Sequence, residues 1–381
     1  SSYKLINFIT LYHLIFVVKI KNNMRVCVIG SGLTALALAK ALVNENIPVD
    51  ISSSKTIKKI SKIRTLGISK SNFDYFNKKI INIKKIIWKL NKIEIFSDNL
   101  KNEKILDFEN SSDQLFSIIK NFKLHNLLFK SLLNDKLHKK INFKKKLKNF
   151  YKYDLIINTD SSNFISKKYF FKKISKSYNS NAYVTIIHHE KISNNIATQI
   201  FTKNGPFAFL PISEYETSIV YSINDLKKIK KKNIEDLIFK YNFKYKIKKI
   251  EDIESFELKS FILRSYYHKN VLAFGDLLHR IHPLAGQGFN MTIRDVKLFI
   301  NIIKNKIDLG LPIDSSVNYE FEKNLKHKNY IFSNSIDFVQ EFFNFERKLN
   351  NNVLSKSLKI LGKNSYINKL FTKVADKGIN F

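Results

Sequence analysis

The sequence predicts an α/β fold in which a parallel sheet covered by helices is interleaved with a mostly antiparallel sheet, with further helices at the C-terminal end. Three observations carry this. The run RVCVI from Arg25 is apolar without alternation, as a buried parallel strand is, and leads through GSGLTA into the apolar helical stretch LALAKALVN. A second strand, loop and helix read from Val271 to Ile303 as VLAFGDLLHRIHPLAGQGFNMTIRDVKLFINII. Between them YVTIIHHE, residues 183–190, alternates as a strand with two unlike faces, setting His188 and His189 on opposite sides.

The 381 residues exceed what one hydrophobic core usually serves, so two interleaved lobes are expected. With 44% hydrophobic and 13% aromatic residues the chain lacks the signature of disorder. The lone cysteine, Cys27, can form no internal disulfide, which fits a reducing compartment. The net charge of +34 is nearly all lysine, spread along the chain beside Asn, Ile and Phe. That pattern reads as the coding bias of an AT-rich genome with a solvated surface; help in docking to an anionic membrane is secondary, and no nucleic-acid function is expected.

Such a bias makes the residues that resist it informative. Of ten glycines, five lie in the two segments above: Gly30, Gly32, Gly275, Gly286 and Gly288. Within residues 1–23 the apolar stretch, Leu5 to Val18, is broken by Asn7, Thr10, Tyr12 and His13 and is too short to span a bilayer; residues 1–23 read as a non-native extension before Met24 or as an interfacial segment.

In the first segment Gly30 permits the tight turn and Gly32 lets a pyrophosphate approach the backbone. Leu33 and Thr34 open the helix over the phosphates, and Ala35 allows close contact between helix and strand. Dinucleotide binding is therefore expected. The acidic residue that usually holds a ribose hydroxyl after the second strand, IPVDIS, is replaced by Ser53, and Asp50 points to the wrong face.

In the second segment Gly275 and Asp276 end the strand VLAF, with Asp276 placed to bond a ligand hydroxyl. The backbone at Gly286 and Gly288 can lie flat against a ring, followed by Phe289 and by a helix from Asn290 onward that aims its positive end at the loop. His279, His282 and Asp276 share no helix face that would make a metal site, so none is expected.

This second motif resembles the C-terminal FAD signature of class A flavoprotein monooxygenases, and its wording HPLAGQGFN is similar to that of the ubiquinone-biosynthesis hydroxylases. FTKNGPFAFLPI, residues 201–212, resembles that family's substrate-domain strand pair. Arg64 in KIRTLGIS matches its flavin-side arginine, and residues 116–133 resemble the helix before its third sheet strand. Asp160 in DLIINTDSSNF stands for the acid of the middle motif, but Ser161 replaces the glycine after it, and Thr292 replaces a helix glycine.

The resemblance implies a Rossmann-like FAD-binding domain interleaved with an antiparallel substrate domain, as in p-hydroxybenzoate hydroxylase. FAD-binding parts are expected at 24–75, 111–165 and 255–310, substrate parts at 76–110 and 166–254, and helices over 311–381. It also implies hydroxylation of the ring of a polyprenylated phenol or quinone intermediate with O2, through a flavin C4a-hydroperoxide. Pro283, Leu284, Ala285 and Gly286 would wall the reacting ring, and NAD(P)H or a ferredoxin-type donor would supply electrons. A ubiquinone-synthesis complex, a cytoplasmic location and peripheral contact with the inner face of the cell membrane follow from the same likeness. The aromatic, lysine-flanked residues 328–372 are a candidate contact. A different polyprenyl oxidoreductase and a degenerate, non-catalytic scaffold are the rival readings.

Overall fold

Strand Val26–Ile29 is buried along its whole length and runs parallel to Val49–Ser52 on one side and Leu155–Asn158 on the other. A strand shut off from water on both faces needs no polar alternation, which is why RVCVI reads as it does. Val271–Ala273 and Ile141–Lys144 extend the sheet in parallel, and Tyr267–His268 closes one edge to give six strands. Helix Leu33–Asn44, built of strong helix formers, buries Leu36, Leu38, Leu42 and Val43. The structure, a computed structural model, describes residues 24–53, 60–98, 103–109, 114–135, 141–144, 152–223, 229–280 and 287–348.

The second sheet has nine strands. Its centre is Lys173–His189, paired antiparallel with Glu216–Ile223 and Glu254–Leu263, and it continues through the hairpin Ile196–Thr202 and Gly205–Pro211 to Lys92–Ser97. Period-two alternation gives this sheet two unlike faces. On one, Phe207 stacks among Phe209, Tyr221 and Tyr241 at centroid distances of 5.0–5.5 Å, beneath helix Lys231–Tyr241. On the other, the register aligns Gln199, Ala208, Val220 and Val184, small or slender side chains that leave room above the sheet.

A third, three-stranded sheet faces that room. Phe116–Lys120 lies between Thr65–Ser69 and Ile87–Leu90, both antiparallel to it. It is tied to the large sheet by Lys120 Nζ with Glu216 at 2.8 Å and by the Thr65 and Ser218 hydroxyls at 2.9 Å. Helices Gln287–Asp308 and Ser315–Lys348 close the structure through a buried cluster of Phe274, Phe299 and Phe321, with centroids 5.4–5.8 Å apart.

The expected interleaved α/β class with C-terminal helices is what is observed. Two boundaries differ. Glu254–Leu263, expected to open the third FAD-binding part, pairs along Lys173–Val184 within the large sheet, because its alternating residues suit a half-buried strand. The late helix begins at Gln287 rather than Asn290. Residues 1–23, and 349–372 of the aromatic tail, lie outside the described residues.

The histidines separate as the alternation demands. His188 Nε2 pairs with Glu251 at 2.8 Å near the surface, whereas His189 is buried. Its Nδ1–H donates to the Glu190 carbonyl at 2.8 Å and its Nε2 lies 3.0 Å from the Thr217 hydroxyl. Burial pushes the His189 imidazole below the usual histidine range. The unfolded chain therefore takes up a proton that the folded chain refuses, so this residue's contribution is present above about pH 6.5 and is lost as pH falls below it. Thermal midpoints of His189→Gln should accordingly fall less steeply than wild type between neutral and mildly acidic pH; parallel curves would reject this account.

Candidate functional site

A cavity of about 680 Å3 joins the two glycine turns. From the first motif Gly30, Ser31, Gly32, Leu33 and Thr34 line it, with Ser53 from the end of the second strand; from the second come Asp276, Gly288 and Phe289. Asp160 and Arg64 reach the same space. It then widens between the three-stranded sheet and the small-residue face of the large one, where Leu90, Ile118, Ala197, Ala208, Leu210 and Val220 form an apolar wall.

The turns themselves depend on missing side chains. Gly30 has φ +133°, and a Cβ there would sit 2.1 Å from Thr159 Oγ1. Gly275 has φ +60°, and its Cβ would meet Thr34 Cγ2 at 2.5 Å, so the two motifs touch at this point. Ala35 is fully buried behind the turn, in the packing role expected of it.

The chemistry of the cavity suits an extended dinucleotide. A Cβ on Gly32 or on Gly288 would meet nothing within 4 Å, so at both points a bare backbone borders open space. Helix Leu33–Asn44 has Gly32 at its N-cap with no side-chain cap and no acidic residue in its first turn, leaving N–H groups for an anion. His125 donates from Nε2 to the Ser31 carbonyl at 2.9 Å, and its buried Nδ1 has no hydrogen-bond partner. These features fit a phosphate flanked by sugar hydroxyls.

Asp276 is exposed and lines the cavity just after Val271–Ala273, in a 3-10 turn. Asp160 accepts from the backbone N–H of Ser162 at 2.8 Å and from its hydroxyl, which holds the loop after Leu155–Asn158. Asp50 is taken by the Tyr153 hydroxyl and does not line the cavity, as its strand position required. Arg64 is half-exposed, 3.5 Å from Glu254 and stacked 4.5 Å over the Phe256 ring, at the rim.

Asn290 serves as an anchor. Its side chain is fully buried: Nδ2 donates to the Gly67 carbonyl at 3.1 Å, while Oδ1 accepts from the Ser69 N–H and from Asn72 Nδ2, each at 3.0 Å. It fixes the helix to strand Thr65–Ser69, because a buried amide must satisfy both its ends. Thr292 is likewise buried, its hydroxyl turned 3.4 Å from the Gly288 carbonyl, so the glycine it replaces does not cost cavity space. Nearby, His279 Nε2 and Asp295 pair at 2.5 Å, both buried. Pro283, Leu284, Ala285 and Gly286 lie outside the described residues.

Sequence reasoning missed Gly67, Phe116, His125 and Gln199, all of which line the cavity. Gly67 carried a signal, as a glycine kept in a lysine- and asparagine-rich chain next to Arg64.

Comparison with known proteins places this geometry in a class. The fold is that of p-nitrophenol 4-monooxygenase PnpA from Pseudomonas putida DLL-E4, with a TM-score of 0.74 at 11% identity over 93% of this chain and 100% of that one. It is also that of Klebsiella pneumoniae HpxO, solved with FAD and uric acid, with a TM-score of 0.73 at 12% identity over 94% and 98% of the two chains. Residues 227–305 match the family model described as FAD binding domain. The fold is thus that of the FAD monooxygenases with an interleaved substrate sheet.

Within that class the chain is similar to the ubiquinone-biosynthesis monooxygenases, as its motifs indicated. It is 24% identical over 232 residues to the mitochondrial ubiquinone biosynthesis monooxygenase COQ6 of Danio rerio, 50% of this chain and 48% of that protein. It is 31% identical over 119 residues to the 3-demethoxyubiquinol 3-hydroxylase of Escherichia coli K12, 29% of this chain and 30% of that protein. The chain spans about half the length of the COQ6 relative and less of the bacterial one.

The contact between the motifs makes a prediction. Gly275→Ala should destabilise the fold by about 2 kcal/mol or more, from left-handed backbone strain together with overpacking against Thr34. Adding Thr34→Ala should restore the steric part but not the backbone part. Denaturant titration of the wild type and the two variants measures both; a double variant no better than Gly275→Ala alone would show that the contact is not the cause.

Proposed function

We propose that this chain is an FAD-dependent monooxygenase that hydroxylates the aromatic ring of a polyprenylated phenol in ubiquinone biosynthesis, with NAD(P)H or a ferredoxin-type protein as electron donor. The observation that carries this reading is that both glycine turns, remote in sequence, open into one cavity that continues into an apolar chamber. When bound, FAD would supply the activation of molecular oxygen.

The protein's own residues do the rest. Gly30, Gly32 and the free N–H groups at Leu33 and Thr34 would hold the pyrophosphate, with Ser53 or the His125 Nδ1 on ribose. Asp276 would bond the ribityl chain, and Gly288 with Phe289 would border the ring system. The helix from Gln287 lends the positive end of its dipole, held in place through Asn290. Pro283, Leu284, Ala285 and Gly286 are the proposed wall beside the reacting ring. The apolar chamber excludes water from the reacting centre and suits a phenol with a hydrocarbon substituent. Ser53 without charge makes the ribose contact weaker than an acid would, but neither it nor Thr292 closes the cavity, which supports catalysis over a scaffold role.

Purified protein should be yellow and carry FAD, and Asp276→Ala should lower retention at least tenfold by the loss of a charge-assisted bond worth about 1.5–3 kcal/mol. A colourless protein that rejects added FAD would overturn the reading.

Contact with the inner membrane face is proposed as peripheral. Among the described residues no helix is long and apolar enough to cross a membrane. The aromatic residues after 328 are the candidate contact, and flotation with anionic liposomes should fall when residues 349–381 are removed; undiminished flotation would exclude that segment as the anchor.

A further inference from the structure

Gly67 and Phe116 share one face of the three-stranded sheet. Gly67 stands opposite Ile118, so Phe116 is its diagonal neighbour two residues along the partner strand, and all three border the cavity. The Phe116 ring folds across that diagonal onto the bare backbone. A Cβ on Gly67 would lie 2.1 Å from Phe116 Cε1 and 2.7 Å from its Cζ. The ring edge can occupy that place because nothing projects from Gly67.

The place where it lies is a junction. On one side Phe116 packs against the apolar cluster of Leu90, Ile118 and Ala197, the floor of the chamber. On the other, the Gly67 carbonyl accepts the Asn290 bond that positions Gly288 and Phe289, which border the proposed ring site. A ring at that junction borders both the apolar cluster and the part of the cavity beside Gly288 and Phe289. Lifting the ring narrows the space between them; removing it widens that space.

We propose that Phe116, seated on the side-chain-free backbone at Gly67, is a specificity-determining residue that sets the bulk of the apolar substituent admitted beside the reacting ring. This rests on the function proposed above, since it takes the ring site and the chamber as parts of one substrate site. An aromatic ring lying over a strand glycine can also serve the strand alone, and the two roles make different demands.

The test uses the full chain loaded with FAD, titrated with phenol and with 4-hexylphenol while flavin absorbance is followed. The quantity read is the ratio of their affinities. Phe116→Ala, and more mildly Phe116→Leu, should shift the ratio toward 4-hexylphenol, by about tenfold for the alanine, the scale of one or two methylenes accommodated or refused. Gly67→Ala, which drives the ring off the strand into the cavity, should shift it about tenfold the other way. Opposite shifts support the proposal. Lower stability or FAD retention with an unchanged ratio in all three variants would show a strand role and overturn it. Failure of the wild-type holoprotein to bind either phenol would remove the functional reading itself, and this inference with it.

Discussion

The site depends on how closely three chain segments can approach at one edge of the parallel sheet. Strands Val26–Ile29, Leu155–Asn158 and Val271–Ala273 lie side by side in parallel, so their carboxyl ends arrive together. The chain must leave each end through a loop, and the loops compete for the same space. Gly30 against Thr159 and Gly275 against Thr34 resolve that competition, each in a backbone region that disfavours side chains. The crevice outside these strand ends is where a ligand of an open parallel sheet sits, and at Gly32 and Gly288 its wall here is bare backbone.

The chamber beyond follows from a different constraint. A sheet that buries Phe207, Phe209 and Tyr221 on one face has large side chains at every second position. The intervening positions are free to be small, and Ala197, Ala208 and Val220 keep them so. The three-stranded sheet touches that face through Leu90, Ile118 and Ala197 and is tied to it by Lys120 with Glu216, Thr65 with Ser218 and Arg64 with Glu254. Polar ties at the rim and slender residues in the middle leave a cavity where two sheets could otherwise have closed on each other.

This division explains what the sequence made legible. GSGLTA and FGD could be read because positive φ and close approach restrict a position to glycine whatever the surrounding composition, and RVCVI because burial on both faces removes alternation. The anchoring by Asn290 was not legible for a physical reason: its partners Gly67, Ser69 and Asn72 lie far earlier in the chain, and no local pattern announces a buried amide's partners. The Glu254–Leu263 strand was placed in the wrong layer because alternation reports that a strand is half-buried, not which sheet takes it. Gly67 has no positive φ and belongs to no turn; only the ring laid across it gives it meaning, and that ring comes from another strand.

Asn290 also shows how the electrostatics of the site are made precise without contact. A helix dipole acts strongly only within its first turn, so its effect on a ligand depends on where that turn is held. Four hydrogen-bonding groups of strand Thr65–Ser69 and helix Lys70–Lys79 converge on or beside one side chain three residues into helix Gln287–Asp308. The helix start cannot shift along the strand without stranding buried donors and acceptors, which would cost more than the small adjustments a ligand asks of it. Helix Leu33–Asn44 is held differently, by apolar burial over most of its length, while its uncapped first turn is left to the cavity. One helix end is therefore positioned by polar bonds and the other by packing, and both border the one cavity, where the positive ends of their dipoles favour an anionic or electron-rich ligand.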